Sequence, residues 1–297
     1  MHHDPQKNIQ FTLSFEGNDS DRNLIDYYDV AQALTGFQRS IALTTHLVLN
    51  SEIITQAPSL KGAKIYAFPA EQGSWKSTAV ISFIGMGIYN VATLENNSPL
   101  GHIVYSLYDY VVSESLGVHV DYNKSLGQLY EEAKKYNIKV KPVTQSQADS
   151  LLEKCSTAIG EMHRPIYKNK TAESANIYCT LPDRPKLQIN TKLTLESYDF
   201  LFETRITEVP EQFFGRVSNY NSNTYKGRVF IPEFGRPVVF ELNQHARNQK
   251  SISLITSSLS ANAVNDYADS NSSIKISAFR NTSRSGHLKS LIIITVG

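Results

Sequence analysis

Cysteine is nearly missing from this chain: Cys155 and Cys179 are the two in 297 residues. Two thiols cannot build a disulfide framework, which excludes the small stapled scaffolds and favours a reducing compartment. An excess of charge of one sign is also lacking. The 29 basic and 28 acidic side chains nearly cancel, so binding to a polyanion cannot be driven by global charge and would need a local patch. Continuous apolar runs are scarce as well. The best candidate, Ser77 to Leu94, is uncharged and of membrane-spanning length, yet it holds two Ser, two Thr, two Gly, Tyr89 and Asn90. That polarity predicts a buried strand followed by a helix in place of a membrane span. Met1 to Lys7 lack the apolar stretch of a signal peptide, so the expected location is the cytoplasm.

Motifs that carry chemistry are missing too. No His-Glu-X-X-His, Cys-X-X-Cys or acidic calcium loop occurs, Gly85-Met86-Gly87 lacks the rest of a dinucleotide or phosphate-loop fingerprint, and no serine is framed as a nucleophile elbow. Glu131 and Glu132 are adjacent and face apart on a helix, unlike a glycosidase pair. The expectation is therefore no catalytic constellation, no metal and no cofactor.

What is present is a chain able to bury a core, 41% hydrophobic with 16 Tyr and 13 Phe. Ile9, Phe11, Leu13 and Phe15 alternate as a half-buried strand, and Gly17 to Asp21 end it in a turn. From Asn23 to about Asn50, apolar residues recur at helical spacing, with Gly36 able to bend or divide the helix. Short strands are predicted around 64–68 and 75–84. Further helices are predicted after Ser98-Pro99, over 125–136 and over 145–163. Beyond Arg164-Pro165 helical periodicity gives way to short alternating segments, among them 187–195, 213–217, 227–231, 237–242, 252–255, 274–279 and 288–296, with a short helix around 259–267. The fold class read from this is α+β: a mixed helix and strand domain over 1–170, then a small antiparallel β-barrel or sandwich over 171–297. Charge divides similarly, with 15 basic and 18 acidic side chains in 1–180 and 14 and 10 in 181–297.

Three clusters of candidate binding residues stand out. Arg39 and His46 lie seven positions apart and so share a helix face, where Arg39 would anchor an acidic or phosphate group or else pair with Asp26 or Asp29. Trp75, the sole tryptophan, and Lys76 form a partner anchor or simply a packed turn. In the β region Arg216, Tyr220, Lys226 and Arg228 interleave bases with aromatics, the combination that stacks and neutralises single-stranded nucleic acid, although a solvated outer face explains it equally. His119 and Asp121 point to the same side of a strand. Were they to meet Arg39 and His46 in space, an enzyme site would result.

The stretches Tyr28 to Ser40 and Tyr108 to Tyr122 resemble an uncharacterised family of bacterial proteins, and the resemblance covers most of the chain. It implies an N-terminal α/β-type domain joined to a small C-terminal β-barrel, occurrence on mobile elements, and no catalytic residues to carry over. The resulting expectation is a non-enzymatic cytoplasmic protein of anti-phage defence, acting as a homo-oligomer or through a protein partner. The alternatives are nucleic-acid binding by the β domain and the enzyme site just described.

Overall fold

A computed structural model describes residues 8–68, 75–83, 99–122, 126–135, 140–182, 185–264 and 272–297. Two compact units divide it, Met1–Leu201 and Phe202–Gly297. The first unit contains β1 (Ile9–Glu16), α1 (Tyr27–Asn50), β2 (Ala63–Ala67), β3 (Lys76–Phe83), α2 (Pro99–Ser115), α3 (Gln128–Lys135), α4 (Gln145–Met162), α5 (Arg164–Tyr167), β4 (Ser174–Thr180) and β5 (Leu187–Gln188). Next in the chain comes α6 (Leu195–Phe202).

Four predicted core residues of β1, namely Ile9, Phe11, Leu13 and Phe15, are fully buried, as strict alternation requires of a strand with one covered face. β1 is the centre of an antiparallel sheet of order β2-β3-β1-β4-β5, against whose core α1, α2 and α4 pack. Phe11 meets the Tyr108 ring edge-on at 4.9 Å, and the Tyr108 hydroxyl lies 2.9 Å from Ser40 Oγ, so α1, α2 and β1 lock through one buried contact.

The long helix is unbroken. Asp26 caps α1 by accepting from Asp29 N, and Ser51 ends it in the left-handed region. Gly36 does not divide it. A Cβ there would stand 2.3 Å from the Ala158 carbonyl oxygen, so the glycine admits the backbone of α4. Thr144 and Gln147 form a reciprocal capping box at the start of α4.

The unit boundary falls at Leu201/Phe202, later than residue 170. Loss of helical periodicity after Pro165 marks the chain's return to the first sheet, since β4 pairs with β1 from Gln10↔Thr180 to Glu16↔Ser174.

The second unit has β6 (Arg205–Ile206), β7 (Glu211–Asn221), β8 (Lys226–Ile231), β9 (Arg236–Leu242), α7 (Gln249–Ala263), β10 (Ile274–Thr282) and β11 (Leu288–Val296). Strand order is β11-β9-β8-β7-β10, and a β10–β11 pairing closes a five-stranded barrel. The barrel is not wholly antiparallel, because β9 and β11 run parallel. Phe213, Val217, Val229, Val238, Phe240, Ile276 and Leu291 fill its interior. The predicted strand at 252–255 is instead part of α7. Asn248 caps that helix by accepting from Ser251 N, and buried Ile255 packs on the barrel core.

The two hydrophobic cores are separate sets of residues, 9–193 and 213–296. Residues 202–297 expressed alone are therefore expected to give a cooperative, β-type thermal transition by circular dichroism, and an uncooperative one would contradict an independent core.

Among the described residues no helix is long and apolar enough to cross a membrane. Of the segment 77–94, the first part lies in β3, as expected, and 84–94 lies outside the described residues.

Candidate functional site

The outer face of the barrel is laid out by strand register. On β7, Phe213, Gly215 and Val217 face inward, which turns Phe214 and Arg216 outward. Phe214 stands opposite Lys275 of β10, and Arg216 stands opposite Phe230 of β8. Phe230 in turn faces Pro237 of β9.

These pairs make cation–aromatic contacts. The Lys275 ammonium lies 6.0 Å from the Phe214 ring centroid, and the Arg216 guanidinium carbon lies 5.5 Å from that of Phe230. Phe214 is 57% exposed. Between them, Gly215 lets β8 approach: a Cβ there would come within 2.6 Å of the Phe230 carbonyl oxygen. Two carboxylates on the barrel strands are paired with arginines. Glu211 accepts from Arg280 at 2.6 Å, and Glu241 pairs with Arg247 at 3.3 Å.

Of the four sequence candidates on the barrel, Arg216 makes one of these cation–aromatic pairs. A register shift between Val217 and Asn219 changes the inward parity of β7. The Val217 N–H, freed at the irregularity, donates to Ser258 Oγ of α7 at 3.0 Å. Beyond it, Tyr220 packs against the core and stacks on Phe240, with centroids 6.3 Å apart and planes 12° apart. Its hydroxyl is buried without a hydrogen-bond partner. Burial pushes its pKa up. Arg228 is 1% exposed and is the largest fully buried side chain described, so it is no solvated ligand contact. Lys226 lies opposite Glu241, at the far end of β8 from Phe230. Phe214, Phe230 and Lys275 were missed as site residues. The first two were visible as aromatics beside arginines, whereas Lys275 joins them only through the β7–β10 pairing.

In the first unit each sequence candidate has its own contacts. Arg39 donates to the Thr55 carbonyl at 3.1 Å, while Asp29, one of its two expected partners, accepts from Arg164 at 3.2 Å and Asn169 at 3.0 Å. His46 is fully buried, and its Nδ1 accepts from Lys61 N at 3.2 Å. Burial lowers its pKa, with Glu52 opposing and Lys61 adding to the shift. His119 is exposed and bonded to Glu114 at 2.6 Å. The described contacts of Arg39, His46 and His119 thus lead to different partners.

Trp75 packs edge-on against Phe15 at 5.6 Å, in keeping with a packed indole, and Lys76 sits opposite Ser14 on β3. The neighbouring Gly73 and Ser74 lie outside the described residues. Both cysteines are free and buried, and burial pushes the Cys155 thiol up to about 12, far from a reactive thiolate. Among the described residues no group of three His, Cys, Asp or Glu could hold a metal ion.

Residues 11–196 match a family model described as a domain of unknown function, DUF7946, and residues 210–297 match a family of unknown function, DUF7947. Each match falls within one structural unit. No curated protein and no solved structure matches the chain.

Proposed function

Because the chain belongs to the DUF7946 family, whose description assigns no activity, we propose its function from its own residues: it acts by binding, and its barrel binds nucleic acid. The observation that carries this reading is the outer-face pairing of Lys275 with Phe214 and of Arg216 with Phe230. Cations neutralise phosphates, and aromatic faces stack bases whatever their sequence. Connectivity supports it. A three-strand meander β7-β8-β9, a helix, and a hairpin β10-β11 closed by the parallel β9–β11 pair is the strand order of OB barrels, which bind oligonucleotides and oligosaccharides. Topology by itself names no ligand, so the side chains decide between these classes.

Around this core the wider proposal is a cytoplasmic bacterial protein of anti-phage defence, encoded on mobile elements and working as a homo-oligomer or with a protein partner. The sequence resemblance supports that setting, and the two buried thiols suit a reducing compartment.

Charge reversal tests the binding reading. The double variant Arg216→Glu with Lys275→Glu is expected to lose binding to a labelled oligonucleotide by about 100-fold or more at low salt. An affinity equal to wild type, measured by fluorescence anisotropy on folded protein, would refute it.

A further inference from the structure

Resting on that reading, we infer that the barrel takes single-stranded nucleic acid and grips two successive bases, one on Phe214 and one on Phe230. Three features of the outer face argue for this.

The first is the separation of the rings. Arg216 is the direct cross-strand partner of Phe230, and Phe214 is two residues from Arg216 on the same face, so Phe214 and Phe230 are diagonal neighbours. Diagonal neighbours on a sheet lie roughly 7–8 Å apart. Bases along a duplex strand are about 3.4 Å apart, with their faces closed by neighbours. The two rings are therefore spaced for bases drawn apart from each other, which a flexible single strand supplies and an intact duplex does not.

The second is exposure. With 57% of its surface open, Phe214 offers ring surface on which an unpaired base can stack. A groove-binding surface would instead need side chains directed at base edges.

The third is where the cations sit. Lys275 and Arg216 each flank one ring, both on the same side of the Phe214–Phe230 diagonal. Each can meet the phosphate of the nucleotide whose base lies on its ring. The grip lies across β10, β7 and β8, displaced from the β8–β9 face, where Arg228 is buried and Lys226 faces Glu241.

The test uses the full-length chain, fluorescein-labelled oligothymidylate of about eight nucleotides, and a blunt duplex of mixed sequence. Wild type is expected to bind the single strand at least about 10-fold tighter than the duplex at the same salt concentration. Phe214→Leu and Phe230→Leu keep apolar bulk but remove the ring, and each is expected to weaken single-strand binding roughly 10- to 100-fold, as loss of one stacked base does. Arg216→Gln with Lys275→Gln should instead flatten the log–log salt dependence by about 1.4, at about 0.7 per phosphate. Because Phe214 is mostly exposed, its variant folds like wild type, and circular dichroism checks both. Wild-type binding that is equal for duplex and single strand, with both leucine variants unaffected, would overturn the two-base grip and leave a charge-driven nucleic-acid binder. Wild type that binds neither nucleic acid would overturn the proposed function itself.

Discussion

Replacing Gly36 by alanine is expected to destabilise the first unit by about 2–3 kcal/mol, against the sign normally found for that substitution in a helix. In an ordinary helix interior, alanine is favoured over glycine by about 1 kcal/mol, because it restricts the unfolded backbone and shields the helix. At Gly36 the new Cβ would stand 2.3 Å from the Ala158 carbonyl oxygen and 3.0 Å from the Glu161 Cβ. A carbonyl oxygen within α4 cannot rotate aside. Relief requires α1 and α4 to separate, which strips contacts from Phe37, Ile41, Ala158 and Ile159 in the buried core. The sole tryptophan, Trp75, packs on Phe15 within this unit, so urea unfolding followed by its fluorescence reads the first unit by itself. Thr35→Ala, on the exposed side of the same helix, is the control and is expected to change stability little. An increase in stability for Gly36→Ala would contradict the close crossing of α1 and α4.

Acidification is expected to cost the first unit about 3 kcal/mol between pH 7 and pH 4, and His163 is the group responsible. His163 is fully buried at the junction of α4 and α5. In its neutral form Nδ1–H donates to the Ile159 carbonyl at 2.8 Å, and Nε2 accepts from the Ser197 hydroxyl at 2.9 Å. Ser197 Oγ also accepts from Thr194 N at 2.8 Å, so the serine ties the imidazole to the start of α6. Burial lowers the histidine pKa to about 4 from the ordinary 6.5. Between these values the unfolded chain binds a proton that the folded chain does not. Stability is therefore full above pH 6.5 and falls as the pH drops towards 4, below which the loss is complete. Buried His46 acts in the same sense. Asp109 opposes them, since burial raises its carboxyl pKa and its protonation favours the folded form as pH falls. The decisive measurement compares urea midpoints of wild type and His163→Gln across pH 4–7, again by Trp75 fluorescence. The variant is expected to be less stable at pH 7 but nearly flat in pH over this window, and an unchanged pH slope would assign the acid sensitivity to other groups.

Much of this architecture is written locally in the chain. β1 was legible because Ile9, Phe11, Leu13 and Phe15 alternate against polar neighbours, and that period fixes a strand with one covered face wherever the sheet forms. α1 and α4 were legible for the same kind of reason, with apolar stripes at helical spacing and caps at Asp26 and Thr144 acting within a turn or so of their own positions. The aromatic and basic character of the segment around Arg216 was also plain in composition. What the sequence could not determine depends on pairing between distant residues. β4 reads like the start of the β domain, yet its register with β1 assigns it to the first sheet. Gly36 reads as a possible break, and only the approach of Ala158 explains it. The same limit governs the candidate site. Arg216, Tyr220 and Arg228 look equivalent by alternation, but the irregularity after Val217 moves Tyr220 towards the core, and tertiary packing buries Arg228. Lys275 lies far along the chain from Phe214 and meets it only because β10 pairs with β7. Periodicity is a property of neighbouring residues, whereas register, bulges and barrel closure arise from long-range pairing, and it is these that decide which side chains share a face.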